Sequence, residues 1–260
     1  MSEDEKIIAG SSEAELTEEQ KKKLEELIEE EEGVTRKVTG FWNNVITILA
    51  VTMSAFAIYT SIFPVTTQIV RGVHVAFLLA LSFLYYPISK KYKGKINIID
   101  IFFALLGLAC IAYMLIDFED FIYRAVTPEL WDKIFGIIFI LLVLEATRRS
   151  SGWIMPITCI IFLVYAYIGP WLPAPWTHRG YDIERIIGHM YMTLEGIFGV
   201  PIDVSSTIII MFCIFGAFLT VSGAGKFFVD FAFTAMGRKP TAAGRSVIAT
   251  SYLLAMASGS

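Results

Sequence analysis

Polar side chains are sparse in the apolar stretches of this 260-residue chain, so the few that occur there are the candidates for chemistry. Glu145 precedes Arg148 and Arg149 by three and four residues, the helical spacing of an ion pair at a membrane boundary. A part in solute passage is the other reading of that carboxylate. Asp100 and Asp117 lie at opposite ends of one apolar stretch, where each can reach water, and they read as boundary residues. Asp203, Ser205, Ser206 and Thr207 open a later stretch; helix capping accounts for them, and contact with a solute is the alternative. Ser222-Gly223-Ala224-Gly225-Lys226 superficially resembles a phosphate loop, but the spacing is wrong and Phe227 stands where a hydroxyl should follow the lysine. Cys110, Cys159 and Cys213 lie within apolar stretches without ligand spacing, and His74, His178 and His189 are equally scattered. Small apolar filler describes the cysteines. No cluster suited to catalysis or to a resident metal emerges, so neither an enzyme nor a metal cofactor is expected.

The elements that must carry these residues are membrane helices. A hydrocarbon core about 30 Å thick needs about 20 helical residues to cross it. Spans are expected near Phe41–Ile62, Gly72–Ile88, Ile98–Phe118, Ile134–Ala146, Gly152–Ile168 and Val204–Ser222, the fourth being the shortest. A hydrophobic fraction of 55% and 20 phenylalanines suit lipid contact and packed helices. Nucleic acid is an unsuitable partner, because no basic face is present. The net charge of −4 reflects the amino-terminal segment, where 13 of the 25 acidic residues fall within the first 32 positions.

Positive charge orients the chain. With a cytoplasmic N-terminus, only Arg71, Arg124, Lys133, Arg179 and Arg185 fall on the outer side, leaving 16 of the 21 lysines and arginines inside. The acidic start has no apolar core of a secretory signal, so the first span serves as an uncleaved anchor. Thr17-Glu18-Glu19-Gln20 has the spacing of a capping box ahead of Leu24, Leu27 and Ile28. A short cytoplasmic helix, solvated or docked on a partner, and plain disorder are both compatible with it.

Residues 41–150 read as a compact four-helix unit, after which the connections change character. The run Gly169–Trp176 is a Pro/Trp-rich turn at an interface. Residues Asp182–Phe198 carry Ile183, Ile186, Ile187, Met190, Tyr191, Leu194 and Ile197 at helical spacing, predicting an amphipathic helix along the membrane surface. Gly199-Val200-Pro201 breaks the chain before the sixth span, and a second surface helix is expected over Ala224–Met236. Small residues such as Ala50/Ser54 and Gly216/Thr220 predict close helix packing. The last twenty residues, 241–260, are rich in Ala, Ser, Thr and Gly. They suit either a re-entrant helix that breaks at Ser258-Gly259-Ser260 or an ordinary span ending there. The fold class is thus an all-α integral membrane protein: about six transmembrane helices, amphipathic surface (arm) helices and the start of a re-entrant helical hairpin.

Four stretches carry a family resemblance: Arg179-Gly180-Tyr181 with Glu195–Pro201, Gly216–Leu219, Ser222–Asp230, and Ala257–Ser260. Together they resemble the fused membrane component of TRAP transporters of the TAXI type, specifically over the last hundred residues and more weakly over the first four spans. The resemblance implies a multi-pass permease of the cell inner membrane, with its N-terminus cytoplasmic. It would form part of a tripartite, ion-gradient-driven uptake system for organic anions such as carboxylates, with sodium as the expected coupling ion. The partner would be an extracytoplasmic TAXI-type substrate-binding protein. By the same resemblance, residues 41–150 match the small membrane subunit and residues 151–240 the start of the large one, with surface helices bracing a scaffold for an elevator-like transport domain. Ser258, Gly259 and Ser260 would sit at the tip of the first re-entrant hairpin, 241–260, where ion and substrate bind. Family members continue with further spans, so the sequence reads as truncated, unable to transport alone and dependent on a remaining transport domain, in the same gene or on another chain. A membrane scaffold or assembly subunit with no transport activity of its own is the competing class.

Overall fold

The computed structural model describes residues 36, 38–89, 95–236, 244–245 and 247–252, and the described residues contain helices and no strand. The elements are α1 (Phe41–Ile62), α2 (Thr67–Tyr85), α3 (Ile98–Ile116), α4 (Phe118–Tyr123), α5 (Leu130–Ser151), α6 (Ile154–Ile168), α7 (Ile183–Ile187), α8 (Val200–Val204), α9 (Ile210–Val221) and α10 (Ala224–Met236). Two wider π-type turns, Gly188–Met192 and Ser205–Ile209, continue α7 and join α8 to α9. The acidic amino-terminal helix forecast from the sequence lies outside the described residues.

Among the described residues five segments are long and apolar enough to cross a membrane: α1, α2, α3, Ile154–Trp171 and Val200–Val221. About six were expected. The fourth forecast span, Ile134–Ala146, is the middle of α5, whose 22 residues reach about 33 Å at 1.5 Å each. That length suffices, but α5 carries Asp132 and Lys133 at one end and Glu145, Arg148 and Arg149 at the other. The second span is displaced toward its start, because the chain re-enters helix at Thr67, directly after the short turn that follows α1.

Helix α2 is the hub. Half of its apolar window is buried, against 6% for α1 and for Val200–Val221, so those two present most of their surface outward. Lipid tails are as apolar as leucine, and helices in a bilayer gain from close packing more than from burial itself. The α2–α3 seam accordingly uses small residues: a Cβ on Gly107 would come within 3.3 Å of Leu79, and one on Gly72 would overlap Met114. The core runs from Val75, Leu79 and Phe83 through Cys110, Ile111 and Met114 to Phe139 and Leu142. The expected close packing at Gly216 is absent from the described residues, since a side chain there would meet open space. The Thr220 and Ser54 hydroxyls instead donate to the Gly216 and Ala50 carbonyls of their own helices.

The segment forecast as a surface helix over Asp182–Phe198 behaves differently. Helix stops at Ile187, the wider turn ends at Met192, and Thr193 is extended. The chain then doubles back, with the Ile197 N–H donating to the Met190 carbonyl at 3.0 Å. Tyr191, Met192 and Phe198 are fully buried, so this arm plugs the bundle rather than lying over it. Phe139 stacks on Phe198 with ring centroids 5.4 Å apart, and Phe121 meets Tyr191 edge to face at 5.3 Å. Glycines permit the close approach: a Cβ on Gly188 would overlap the Ala125 carbonyl oxygen, and one on Gly196 would overlap the His189 carbonyl oxygen. Because backbone cannot yield as a flexible side chain can, Gly188→Ala should cost about 1–3 kcal/mol by overpacking. Thermal unfolding of the purified protein, followed by tryptophan fluorescence, checks that value.

Helix α10 forms with the bounds expected, and α9 ends in a glycine stop. Gly223 has φ +77°, the Ser222 N–H donates to Phe218 and the Gly223 N–H to Thr220. The Ser222–Lys226 run therefore turns the chain between two helices, which agrees with rejecting it as a phosphate loop.

Candidate functional site

Three polar assemblies hold the bundle together, and each begins with a local sequence feature. The chain alternates between an arginine end, near Arg36 and Arg149, and a tryptophan end, near Trp171 and Trp176.

At the arginine end, Asn97 caps α3 and Asp100 returns the bond to the Asn97 N–H, a reciprocal capping box. The helix dipole favours a carboxylate there. Asp100 is not the water-exposed boundary residue expected from its position; it is wholly buried. Its two oxygens take one arginine each, Arg36 Nη2 at 2.7 Å and Arg149 Nη1 at 2.7 Å. Arg36 also donates to the Leu84 carbonyl at 2.9 Å, tying the segment before α1 to the end of α2. Arg149 lies near the rings of Phe83 and Phe103 at 5.0 and 5.5 Å, and its Nε donates to Glu145 at 2.8 Å. The Glu145–Arg148 pair at 2.7 Å forms as its spacing forecast.

A second box closes the other end of the same two antiparallel helices. Glu129 caps α5 and Asp132 answers it, accepting from the Glu129 N–H at 2.9 Å. Asp132 is also fully buried and takes the Tyr113 hydroxyl at 2.7 Å and Arg124 Nε at 3.0 Å. Arg124 spans from Asp132 to Asp117, whose half-exposed carboxylate lies 3.0 Å away. Hydrogen bonding to Asp132 first, and then to Asp117, raises the Arg124 guanidinium above its ordinary pKa, so it stays charged. Asp117 is a boundary residue, as expected.

The third assembly joins the two halves of the chain. Gln68, Arg71 and His74 follow one another at helical spacing of three along α2. Gln68 Nε2 donates to the Met192 carbonyl at 3.1 Å. Arg71 donates to the Phe198 carbonyl at 2.7 Å and to Asp203 at 2.8 Å. His74 Nε2 lies 3.0 Å from Ser205 Oγ. This overturns the capping account of the Asp203–Thr207 cluster: the helix begins three residues earlier, at Val200, with Gly199 at the cap and no side-chain cap bond. Asp203 instead meets Arg71, while the Ser206 and Thr207 hydroxyls donate to the Asp203 carbonyl at 3.1 and 2.7 Å. The wider turn at Ser205–Ile209 is the kind of irregularity that recurs at functional positions in helices. Sequence reading did not single out Gln68 or Arg71. A polar triplet at a spacing of three within an apolar helix is the signal that could have found them.

The forecast site residues Ser258, Gly259 and Ser260 lie outside the described residues. The chain is helical over 247–252, leading toward them. Among the described residues no group of three or more His, Cys, Asp or Glu could hold a metal ion, and Cys110, Cys159 and Cys213 are free. The polar groups of these assemblies are thus arranged to join helices, with Asp100, Asp132 and Asp203 each paired with arginine.

No curated protein and no solved structure matches this chain. A family model does: residues 138–260 of this multi-pass membrane protein, running from the middle of α5 through the arm and the last spans, are similar to the Tripartite ATP-independent periplasmic transporter, DctM component.

Proposed function

We propose that the chain is the fused permease component of a TAXI-type TRAP transporter. In this reading residues 41–150 take the place of the small membrane subunit and residues 151–240 open the large one. The observation that carries it is the family match over residues 138–260. Support for fusion comes from the Gln68–Arg71–His74 seam, which joins α2 to Met192, Phe198, Asp203 and Ser205 within the matched segment. An extracytoplasmic binding protein delivers an organic anion such as a carboxylate, and an inward sodium gradient drives uptake. The N-terminus is cytoplasmic.

An elevator mechanism requires a frame that stays fixed while another part moves. The two buried aspartate assemblies supply that rigidity: Asp100 joins sequence-distant segments and Asp132 ties the start of α5 to the end of α3, both through charge-assisted hydrogen bonds. Residues 241–260 begin the moving part as a re-entrant hairpin. Ser258, Gly259 and Ser260 offer hydroxyls and an unobstructed backbone to the ion and to the carboxylate.

Reconstitution of the complete transporter with its binding protein tests this. Carboxylate uptake into proteoliposomes should require an inward sodium gradient and should stop when potassium replaces sodium. Joint replacement Ser258→Ala and Ser260→Ala removes two hydroxyl oxygens that would coordinate the ion and should weaken the apparent sodium affinity about tenfold. Uptake indifferent to sodium would sink the coupling assignment. Unchanged ion binding in the double variant would favour the scaffold reading, in which the chain assembles a permease without lining its site.

A further inference from the structure

A cavity of about 650 Å³ separates α5, α6 and the arm. Its body is apolar, with Leu144, Leu163 and Ala166 among its walls. Its rim carries Tyr181, Arg185, His189 and Glu195. The volume lies within the range of ligand sites that enclose a small molecule. Helix α6, which forms one wall of the cavity, presents most of its surface outward, with 11% of the Ile154–Trp171 window buried. Exposed Trp171 and Trp176, in the connection between α6 and the arm, mark the level at which aromatic residues meet lipid headgroups.

The charges at the rim are unequal in what they already do. Glu184 is engaged by Lys133 at 2.6 Å, and Glu195 lies 3.7 Å from His189. Arg185 Cζ lies over the Tyr181 ring, 5.5 Å from its centroid, and no carboxylate among the described residues bonds to it. A guanidinium whose N–H groups meet no carboxylate is available to a phosphate, which it can recognise by two parallel hydrogen bonds.

We propose that this cavity binds an anionic phospholipid, with an acyl chain between α5 and α6 and the headgroup phosphate on Arg185. The apolar body supplies what a free anion would not use, and the cation supplies what a neutral hydrocarbon would not use. Seated there, the lipid fills the space between two consecutive helices and the arm, and so completes the packing of the frame.

The experiment is native mass spectrometry of the purified protein titrated with phosphatidylglycerol, phosphatidylcholine and inorganic phosphate. One phosphatidylglycerol should be retained in preference to phosphatidylcholine, and millimolar inorganic phosphate should not displace it. Arg185→Ala should weaken retention about tenfold, as expected for a lost charge-assisted contact. Arg185→Lys, which keeps the charge, should stay within about threefold of the original protein and separates loss of charge from loss of fold. Ala166→Phe, which narrows the body while leaving Arg185 in place, should also weaken retention. Wild-type retention in either Arg185→Ala or Ala166→Phe overturns the proposal, as does equal binding of phosphatidylcholine. Displacement by inorganic phosphate would mark a free-anion site instead and equally overturns it.

Discussion

Replacing Asp100 with alanine is expected to destabilise the bundle by about 3–5 kcal/mol, the cost of removing one partner from a buried ion pair. The carboxylate is fully buried and each of its oxygens holds a different arginine. Without it, Arg36 and Arg149 remain as like charges in a site that water does not reach. Arg149 keeps Glu145 at 2.8 Å, whereas among the described residues the Arg36 side chain keeps the Leu84 carbonyl alone, so the segment before α1 should detach first. The alanine variant also loses the return bond to the Asn97 N–H at the start of α3. A triple variant, Arg36→Met with Asp100→Leu and Arg149→Met, removes all three charges together and should recover most of the loss, because a buried pair replaced by packed apolar groups is often neutral. Unfolding midpoints in detergent for the single and triple variants decide the matter. A single variant as stable as the original would mean that water enters the site and screens the arginines.

Asp132→Ala is the second large effect, expected at about 2–3 kcal/mol. It is smaller because Arg124 retains Asp117 and is partly exposed, so the orphaned guanidinium can be hydrated. What is lost is the acceptor for the Tyr113 hydroxyl and for the Glu129 N–H. Tyr113→Phe should cost only about 1 kcal/mol, a single hydrogen bond. Asp132→Asn, which keeps one carbonyl oxygen in place, should fall between the two. Chemical unfolding of the four proteins orders them; an Asn variant worse than the Ala variant would show that shape, not charge, dominates this site.

These two residues illustrate how far local reading reaches. The spans, the Glu145–Arg148 pair, the break at Gly199–Pro201 and the helix Ala224–Met236 were legible because each rests on hydropathy over a window or on neighbours within four residues. Asp100 and Asp117 looked alike by the same criteria, since both lie at the ends of one apolar run. Only Asp117 is half exposed; Asp100 is buried because Arg36 and Arg149, 64 and 49 residues away, come to meet it. The Asp203–Thr207 cluster suited helix capping locally, yet Asp203 is met by Arg71 from α2. The arm shows the same limit. Its apolar periodicity is real, but glycines at 188 and 196 let backbone approach backbone, and the segment folds into the bundle.

By itself the sequence determined that this chain is helical, that it crosses a membrane several times, and where most helices start and stop. Apolar run length, capping residues and glycines act over a single turn or a single helix, so they can be read along the chain. The tertiary structure alone decided which carboxylates are buried, which cations they hold, and that the arm enters the core. A polar group can be buried only where partners from other helices satisfy it, and that supply is a property of the packed bundle.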